Sequence, residues 1–336
     1  MDKAVFHPRC DQCQSLLVPW LSMPIDPKRQ VAIQYGNVYR CNQCGIGMVL
    51  PRPAPEEIPD FYKLDQYYTH GQSHFAPEGK RTFLDRLRVH VAWRFDFGTP
   101  LTVERLQTLI AQPAASILDI GCGGGQLVKG LQNLGYNAVG LEPDAATTAH
   151  ASNQGIEVYH GSIESIPENL ARRQFDAVIM SHVLEHVLSP RQAVKTVYDV
   201  LRPGGLFICA VPNNECEGLN RAREAWEPLD VPRHLNFFTA SSLLSICHAA
   251  GFTHSMTLFD SFCRQFSNAW IRTEQRIYDA IQKNGGNRNG LVRNSSWRAW
   301  QLLFRTAMAP ANRKYDNVIL VMRKPVESPS RQKPIS

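Results

Sequence analysis

No stretch of this 336-residue sequence approaches the 18 or more consecutive apolar residues of a membrane-spanning helix. The N-terminus, Met1-Asp2-Lys3-Ala4-Val5-Phe6-His7-Pro8, carries no apolar signal region. Together these absences predict a cytoplasmic protein, in which nine cysteines stand as thiols or metal ligands rather than as disulfides. A dinucleotide fingerprint is also missing. Its G-x-G-x-x-G frame needs glycine or alanine at the sixth position. Counted from Gly121 that residue is Gln126, and from Gly123 it is Val128. Carboxylates are scarce toward the C-terminus: from Ser261 onward 14 Lys/Arg face four Asp/Glu, in a chain whose formal net charge is +6. That end suits phosphates or anionic lipid, or a solvated basic surface with a loose tail.

What is present centres on Ile117 to Gly125, Ile-Leu-Asp-Ile-Gly-Cys-Gly-Gly-Gly. Ser116 to Ile120 reads as a buried parallel strand, and Gln126 to Leu134 as a helix. Between them the glycines let a ligand approach the backbone, and the helix start offers free N–H groups. Asp119 stands two residues before the first glycine, and Glu142 closes the next apolar strand, Asn137 to Leu141. An acid at that distance suits hydrogen bonds to both ribose hydroxyls. A carboxylate beside the loop favours a cationic ligand over a pyrophosphate.

In the Asp119-to-Gly125 segment the chain resembles the class I S-adenosylmethionine-dependent methyltransferases. The resemblance implies cofactor contacts from Asp119, Gly121, Cys122, Gly123, Gly125, Glu142 and Pro143. It adds Ser162 and Ile163 after the third strand, where the family usually presents an Asp to adenine, and Ser181 and His182 after the fourth.

The alternation of strands and helices predicts an α/β, Rossmann-like, mostly parallel seven-stranded sheet covered on both faces. The strands are placed at 116–120, 137–141, 157–159, 175–180, 206–211, 253–259 and 316–323. Helices before the first of them run from Lys80 to Phe95 and from Pro100 to Ala111, the second capped by Thr99. The expected divisions are a zinc-ribbon-like domain at 1–50, a linker with N-terminal helices at 51–99, and the methyltransferase domain at 100–323. A helical insertion at 264–314 holds Trp270, Trp297, Trp300 and several arginines, broken at Gly285-Gly286-Asn287. Residues 324–336 read as a disordered tail. The aromatic segment Asp65 to His70 is expected to close over the cofactor or to pack beneath a loop.

Cys10, Cys13, Cys41 and Cys44 form two C-x-x-C pairs, and four thiolates suit a tetrahedral structural zinc ion. Residues 1–50 hold few large apolar groups, so a metal-free version is expected to lack a core. Gly45 permits the tight turn after the second pair, whereas Gln14 after the first is less suited.

His182-Val183-Leu184-Glu185-His186 matches a metalloprotease pattern, which the surrounding fold excludes. Leu-Glu-His is common in the methyltransferase class, so His186 is read as structural and His182 as a cofactor neighbour or base. Pro232 to Phe238 resembles a segment of sugar methyltransferases that carry an N-terminal four-cysteine domain, where a Glu-His pair serves the acceptor. Here Arg233 replaces the Glu. His234 is the leading candidate base, and Arg233 is a candidate for bidentate binding of an acceptor phosphate. The expected activity is methyl transfer to a small molecule, a sugar or sugar-containing precursor such as a nucleotide sugar or polysaccharide precursor, at oxygen where the acceptor is a hydroxyl. Two alternatives are an RNA methyltransferase using the zinc domain and basic helices, and an inactive zinc-dependent binding protein. Against the first, Val211-Pro212-Asn213-Asn214 stands where an Asn-Pro-Pro-Tyr clamp would be. Peripheral membrane contact is compatible with the basic insertion.

Overall fold

The structure, a computed structural model, describes residues 8–63, 79, 81–285 and 290–326. The aromatic segment 65–70, the Gly286-Asn287 break and tail residues 327–336 lie outside the described residues. In chain order the N-terminal strands are β1 Leu17–Ser22, β2 Ile25–Asp26, β3 Val31–Ala32, β4 Asn37–Cys41 and β5 Gly47–Val49. Helices α1 Ile58–Phe61, α2 Phe83–Arg94 and α3 Val103–Ile110 follow. The alternating part is β6 Ser116–Ile120, α4 Gln126–Asn133, β7 Asn137–Glu142, α5 Ala145–Asn153, β8 Val158–His160, α6 Glu168–Ala171, β9 Phe175–Ser181, α7 Pro190–Val200 and β10 Leu201–Pro212. The chain ends with α8 Glu217–Ala222, β11 Asn236–Phe237, α9 Ala240–Ala249, β12 Thr253–Asp260, α10 Asn268–Gly285, α11 Ser296–Thr306, α12 Ala311–Lys314 and β13 Asn317–Arg323.

Apolar strand residues such as Ile117, Leu118 and Ile120, and Val178 to Met180, are buried because both faces of their sheet are covered. The sheet has seven strands in the order β12-β13-β10-β9-β6-β7-β8. Neighbours from β10 to β8 are parallel, and β13 is antiparallel to both β10 and β12. From β6 the chain winds outward through β7 and β8 and then returns to β9 on the other side. The crevice at the carboxyl ends of β6 and β9 is therefore the topological switch point, where open α/β sheets bind ligands.

Side-chain caps start α2, α3, α5, α7, α8, α9 and α11, and the cap of α3 corrects the sequence reading. Thr102, not Thr99, caps α3, accepting from the Arg105 N–H. The Thr99 N–H instead donates to the Phe259 carbonyl at 2.9 Å, so Pro100 lies in the approach to the helix.

The apolar residues of positions 1–50 do not want for a core. Leu21, Met23, Ile25, Val38 and Val49 are buried in one cluster with Leu219, Trp226, Leu235 and Phe237. The connection is also a backbone one. β11, from the segment after β10, pairs antiparallel with β5 and completes the sheet β1-β4-β5-β11. The N-terminal strands thus hold the loop that ends at His234 and Leu235.

Candidate active site

The glycine loop follows β6 with φ of +70°, +52° and +74° at Gly121, Gly123 and Gly125, a region that side chains with a Cβ rarely occupy. A Cβ on Gly121 would stand 2.3 Å from Val183 Cγ2, so this glycine lets the loops after β6 and β9 touch. A Cβ on Gly123 or Gly124 would meet nothing within 4 Å, which leaves that stretch of backbone open to a ligand. Cys122 turns inward, toward Gly140 of β7. Burial and the nearby Asp119 and Glu142 raise its thiol pKa.

Glu142 ends β7 and is buried. Its two oxygens accept from the Gly123 N–H at 2.9 Å and the Asp144 N–H at 3.0 Å. Each carboxylate oxygen keeps acceptor capacity beyond one such bond. Asp119 is buried nearby, and its pKa is lifted to about 7 by burial and then by the Glu142 carboxylate. Burial also raises Glu142. Two buried acids close together favour a cationic ligand, and the S-adenosylmethionine expected from the sequence carries two cationic groups. Pro143 presents its carbonyl to His160 Nε2 at 3.1 Å. Ser162 bonds Ser165 through hydroxyl and backbone, and Ile163 packs into the core.

Across the switch point, Ser181 ends β9 and His182 turns the chain away with φ +56°, its N–H held by the Ala210 carbonyl. His182 Nδ1 lies 3.3 Å from Glu185 Oε1, and His234 Nε2 lies 3.9 Å from the same oxygen. One candidate ligand atom each from Glu185, His186 and His234 lies within 4.8 Å of the other two, a spacing that could also cage a divalent ion. His234 is buried, its Nδ1 2.8 Å from the Pro228 carbonyl. A carbonyl only accepts, so Nδ1 carries the proton and Nε2 is the free base. Burial, and next His186, pull the His234 pKa down to about 4. Burial alone would raise Glu185, but its hydrogen bond to His182 and the charges of His186 and His234 hold it at about 2. Glu185 thus remains a carboxylate facing three imidazoles.

His186 sits against the backbone of the Arg233 loop. Its Nδ1 lies 3.1 Å from the Arg233 carbonyl and 2.9 Å from Tyr62 Oη. Glu185 and Tyr62 escaped the sequence reading as site residues. Glu185 is the carboxylate partner that the sequence places nowhere beside His234, brought in from the loop after β9. Asn214, past the end of β10, is a third such residue. Both polar atoms of its side chain are buried without a hydrogen-bond partner among the described residues, as is Glu185 Oε2. Such unused capacity beside a crevice suits a polar acceptor.

Arg233 overturns its expected role. It is fully buried, with Nη1 and Nη2 on Asp26 at 2.7 and 2.8 Å and Nε and Nη2 on Asp230 at 2.9 and 2.7 Å. Both carboxylates saturate the guanidinium, so no phosphate can reach it. Its work is to clamp the His234 loop to β2.

The four cysteines converge. Sγ atoms of Cys10 and Cys44 are 3.6 Å apart, and those of Cys13 and Cys41 are 3.5 Å apart. Four thiolates at about 2.3 Å from a tetrahedral ion place sulfurs roughly 3.7 Å apart, so the donor set fits zinc. Gln14, with φ +62°, adopts the same left-handed turn as Gly45, with φ +81°, despite its side chain.

Residues 93–255 match the family described as a methyltransferase domain. The ubiquinone biosynthesis O-methyltransferase of Methylobacterium nodulans is 32% identical over 162 residues, 42% of this chain and 64% of that protein. The protein of the same description in Ruegeria pomeroyi is 34% identical over 149 residues, 40% of this chain and 58% of that one. The chain therefore spans less than two thirds of the length of these curated relatives. A solved SAM-dependent methyltransferase from Archaeoglobus fulgidus aligns with a TM-score of 0.45 and 16% identity, over 66% of this chain and 92% of that one. Residues 93–255, with the switch-point loops they contain, form a class I S-adenosylmethionine-dependent methyltransferase domain.

Proposed function

We propose that the protein methylates a hydroxyl group of a small-molecule acceptor, using S-adenosylmethionine bound over the glycine loop. One observation carries this reading: an open glycine loop with two buried acids meets a Glu185–histidine cluster across a single switch point. When bound, S-adenosylmethionine supplies a methyl group on a sulfonium that leaves as a neutral thioether, so no general acid is required. Glu142 would hold the ribose and Asp119 would sit beside the cationic end. Glu185 stays ionised and stabilises a proton taken up at His234 Nε2. The relatives' name points to an O-methyl product in quinone synthesis, and the segment around His234 points to a sugar-containing acceptor. With Arg233 sealed between two carboxylates, the support for a nucleotide sugar is weaker than for a neutral polyol or phenol. The RNA alternative gains nothing at the end of β10, where the Asn213 side chain ties down the carbonyls of Asn312 and Tyr315.

Calorimetry tests the cofactor. Glu142→Ala removes charge-assisted hydrogen bonds of roughly 1.5–3 kcal/mol each and is expected to weaken S-adenosylmethionine binding at least about tenfold. Equal affinity in the variant, or tighter binding of NAD by the wild type, rejects the assignment. Labelled methyl transfer to a panel of polyols and phenols then separates the acceptor classes.

The four thiolates are proposed to hold one structural zinc ion. Elemental analysis of protein purified without chelator is expected to give about one zinc per chain. Cys41→Ser should lose that zinc and open the two cysteine turns, residues 8–16 and 41–46, to protease. Retained metal in Cys41→Ser shows that the ligand set is wrong.

A further inference from the structure

Fourteen large hydrophobic side chains are exposed among the described residues, and eight of them lie on α2, on α11 and on the turns just after them. These two helices run side by side in the same direction. Ser296 Oγ at the start of α11 bonds Asp85 at the start of α2. At their far ends, Lys314 Nζ donates to both the Phe95 and Ala307 carbonyls. Each helix buries one face: Asp85, Arg88 and Ala92 on α2, and Ala299, Leu302, Leu303 and Thr306 on α11. The opposite faces carry Phe83, Leu87 and Trp93 on α2, and Trp297, Phe304 and Met308 on α11 and its end, with Phe83, Trp93, Trp297, Phe304 and Met308 all at least 70% exposed. Spacings of seven and four residues align Trp297, Phe304 and Met308 in one stripe. Both helices pack on one buried cluster, Ala92 from α2 with Ala299, Leu302 and Leu303 from α11; Trp300 lies against that cluster and stacks on Phe304 with ring centres 5.7 Å apart.

The charges interleaved with these side chains have one sign. Arg86, Arg94 and Arg298 are exposed on the two helices, Arg305 is exposed but pairs with Glu217 of α8, and the only carboxylate of either helix, Asp85, is buried. Paired helices that show tryptophan, phenylalanine and arginine outward, without an exposed acid, have the makeup of an interfacial membrane anchor. A second copy of this face would set arginine against arginine. We propose that the α2–α11 face docks on an anionic phospholipid bilayer, the aromatic stripe entering the headgroup boundary and the arginines meeting lipid phosphates. This inference does not depend on the methyltransferase reading.

Vesicle flotation with the full chain tests it. Vesicles of phosphatidylcholine with about one third phosphatidylglycerol should carry the protein, and pure phosphatidylcholine vesicles much less, since each basic residue near the surface contributes about fivefold to partitioning. Binding should fall as salt rises. The triple variant Trp297→Ser, Phe304→Ser, Met308→Ser, and separately Arg86→Gln, Arg94→Gln, Arg298→Gln, should each lower partitioning about tenfold or more. Melting temperature and S-adenosylmethionine affinity are measured alongside, because both should stay at the wild-type value. The proposal is overturned by an absence of vesicle binding, or by binding that neither triple variant changes. It is also overturned if, without vesicle binding, the apolar variant dissolves a concentration-dependent dimer, or if salt-sensitive binding of an RNA oligonucleotide takes its place.

Discussion

Arg233→Ala is expected to destabilise the protein by roughly 3–5 kcal/mol, the usual cost of removing one partner from a buried ion pair. Asp26 and Asp230 would be left buried without the guanidinium, with Lys28 Nζ on Asp230 and the Lys28 and Arg29 N–H groups on Asp26 as partial compensation. Burial by itself would raise the Asp230 pKa, but Arg233 and then Lys28 outweigh it and hold the carboxyl far below its ordinary range. A depressed carboxylate contributes stability above its unfolded pKa and loses it as pH falls. The gap between wild type and Arg233→Ala should therefore narrow under acid conditions. Urea unfolding at neutral and acid pH measures both effects. A loss below about 1 kcal/mol would place the guanidinium in water, as surface pairs rarely contribute more.

The same clamp ties the two halves of the site together. The Val49 N–H donates to the Leu235 carbonyl, and Arg52 reaches that carbonyl and the Asn236 side chain. Arg191 in turn donates to the Asp11 carbonyl beside the first cysteine pair. The four-cysteine region is thus a brace for the loop that carries His234. Arg233→Ala should also lower turnover through that loop, with little effect on S-adenosylmethionine binding across the crevice.

The parts of this arrangement that could be read from sequence are local. Strand β6, its glycine turn, α4 and the acid ending β7 follow from apolar runs, glycine and residue spacing within short windows. The two cysteine pairs were legible for the same reason. What could not be read depends on residues distant in sequence meeting in space. Nothing near His234 announces Glu185, and nothing near Arg233 announces Asp26. An arginine next to a candidate base suggests an anion site until two buried carboxylates are found on it. The apolar groups of positions 1–50 look too few in sequence because their packing partners, Trp226 and Phe237 among them, come from the segment after β10, far along the chain. Thr99 and Thr102 both precede α3 and both suit a cap, and the choice was made by the pairing of Thr99 with Phe259.

His234→Ala is expected to lower turnover by about 10²–10⁴-fold, the range of general-base catalysis, while S-adenosylmethionine affinity stays near the wild-type value. The pH profile is the sharper test. An exposed imidazole would give an acidic limb near 6.5, whereas burial and His186 bring His234 to about 4. A histidine with a lowered pKa is neutral, and so able to accept a proton, throughout the range above that value. Turnover limited by His234 should therefore hold steady from neutral pH down to about 5 and fall only toward 4. Deletion of the side chain should remove this limb. His182→Ala is the comparison, because His182 faces the same Glu185 oxygen from the more exposed side. If His182→Ala removes the limb and His234→Ala only weakens acceptor binding, His234 positions the acceptor and His182 is the base. Metal analysis closes the remaining route. The four cysteines are proposed to hold one ion, and a second ion per chain that is lost with His234→Ala would mean that Nε2 holds a cation and accepts no proton.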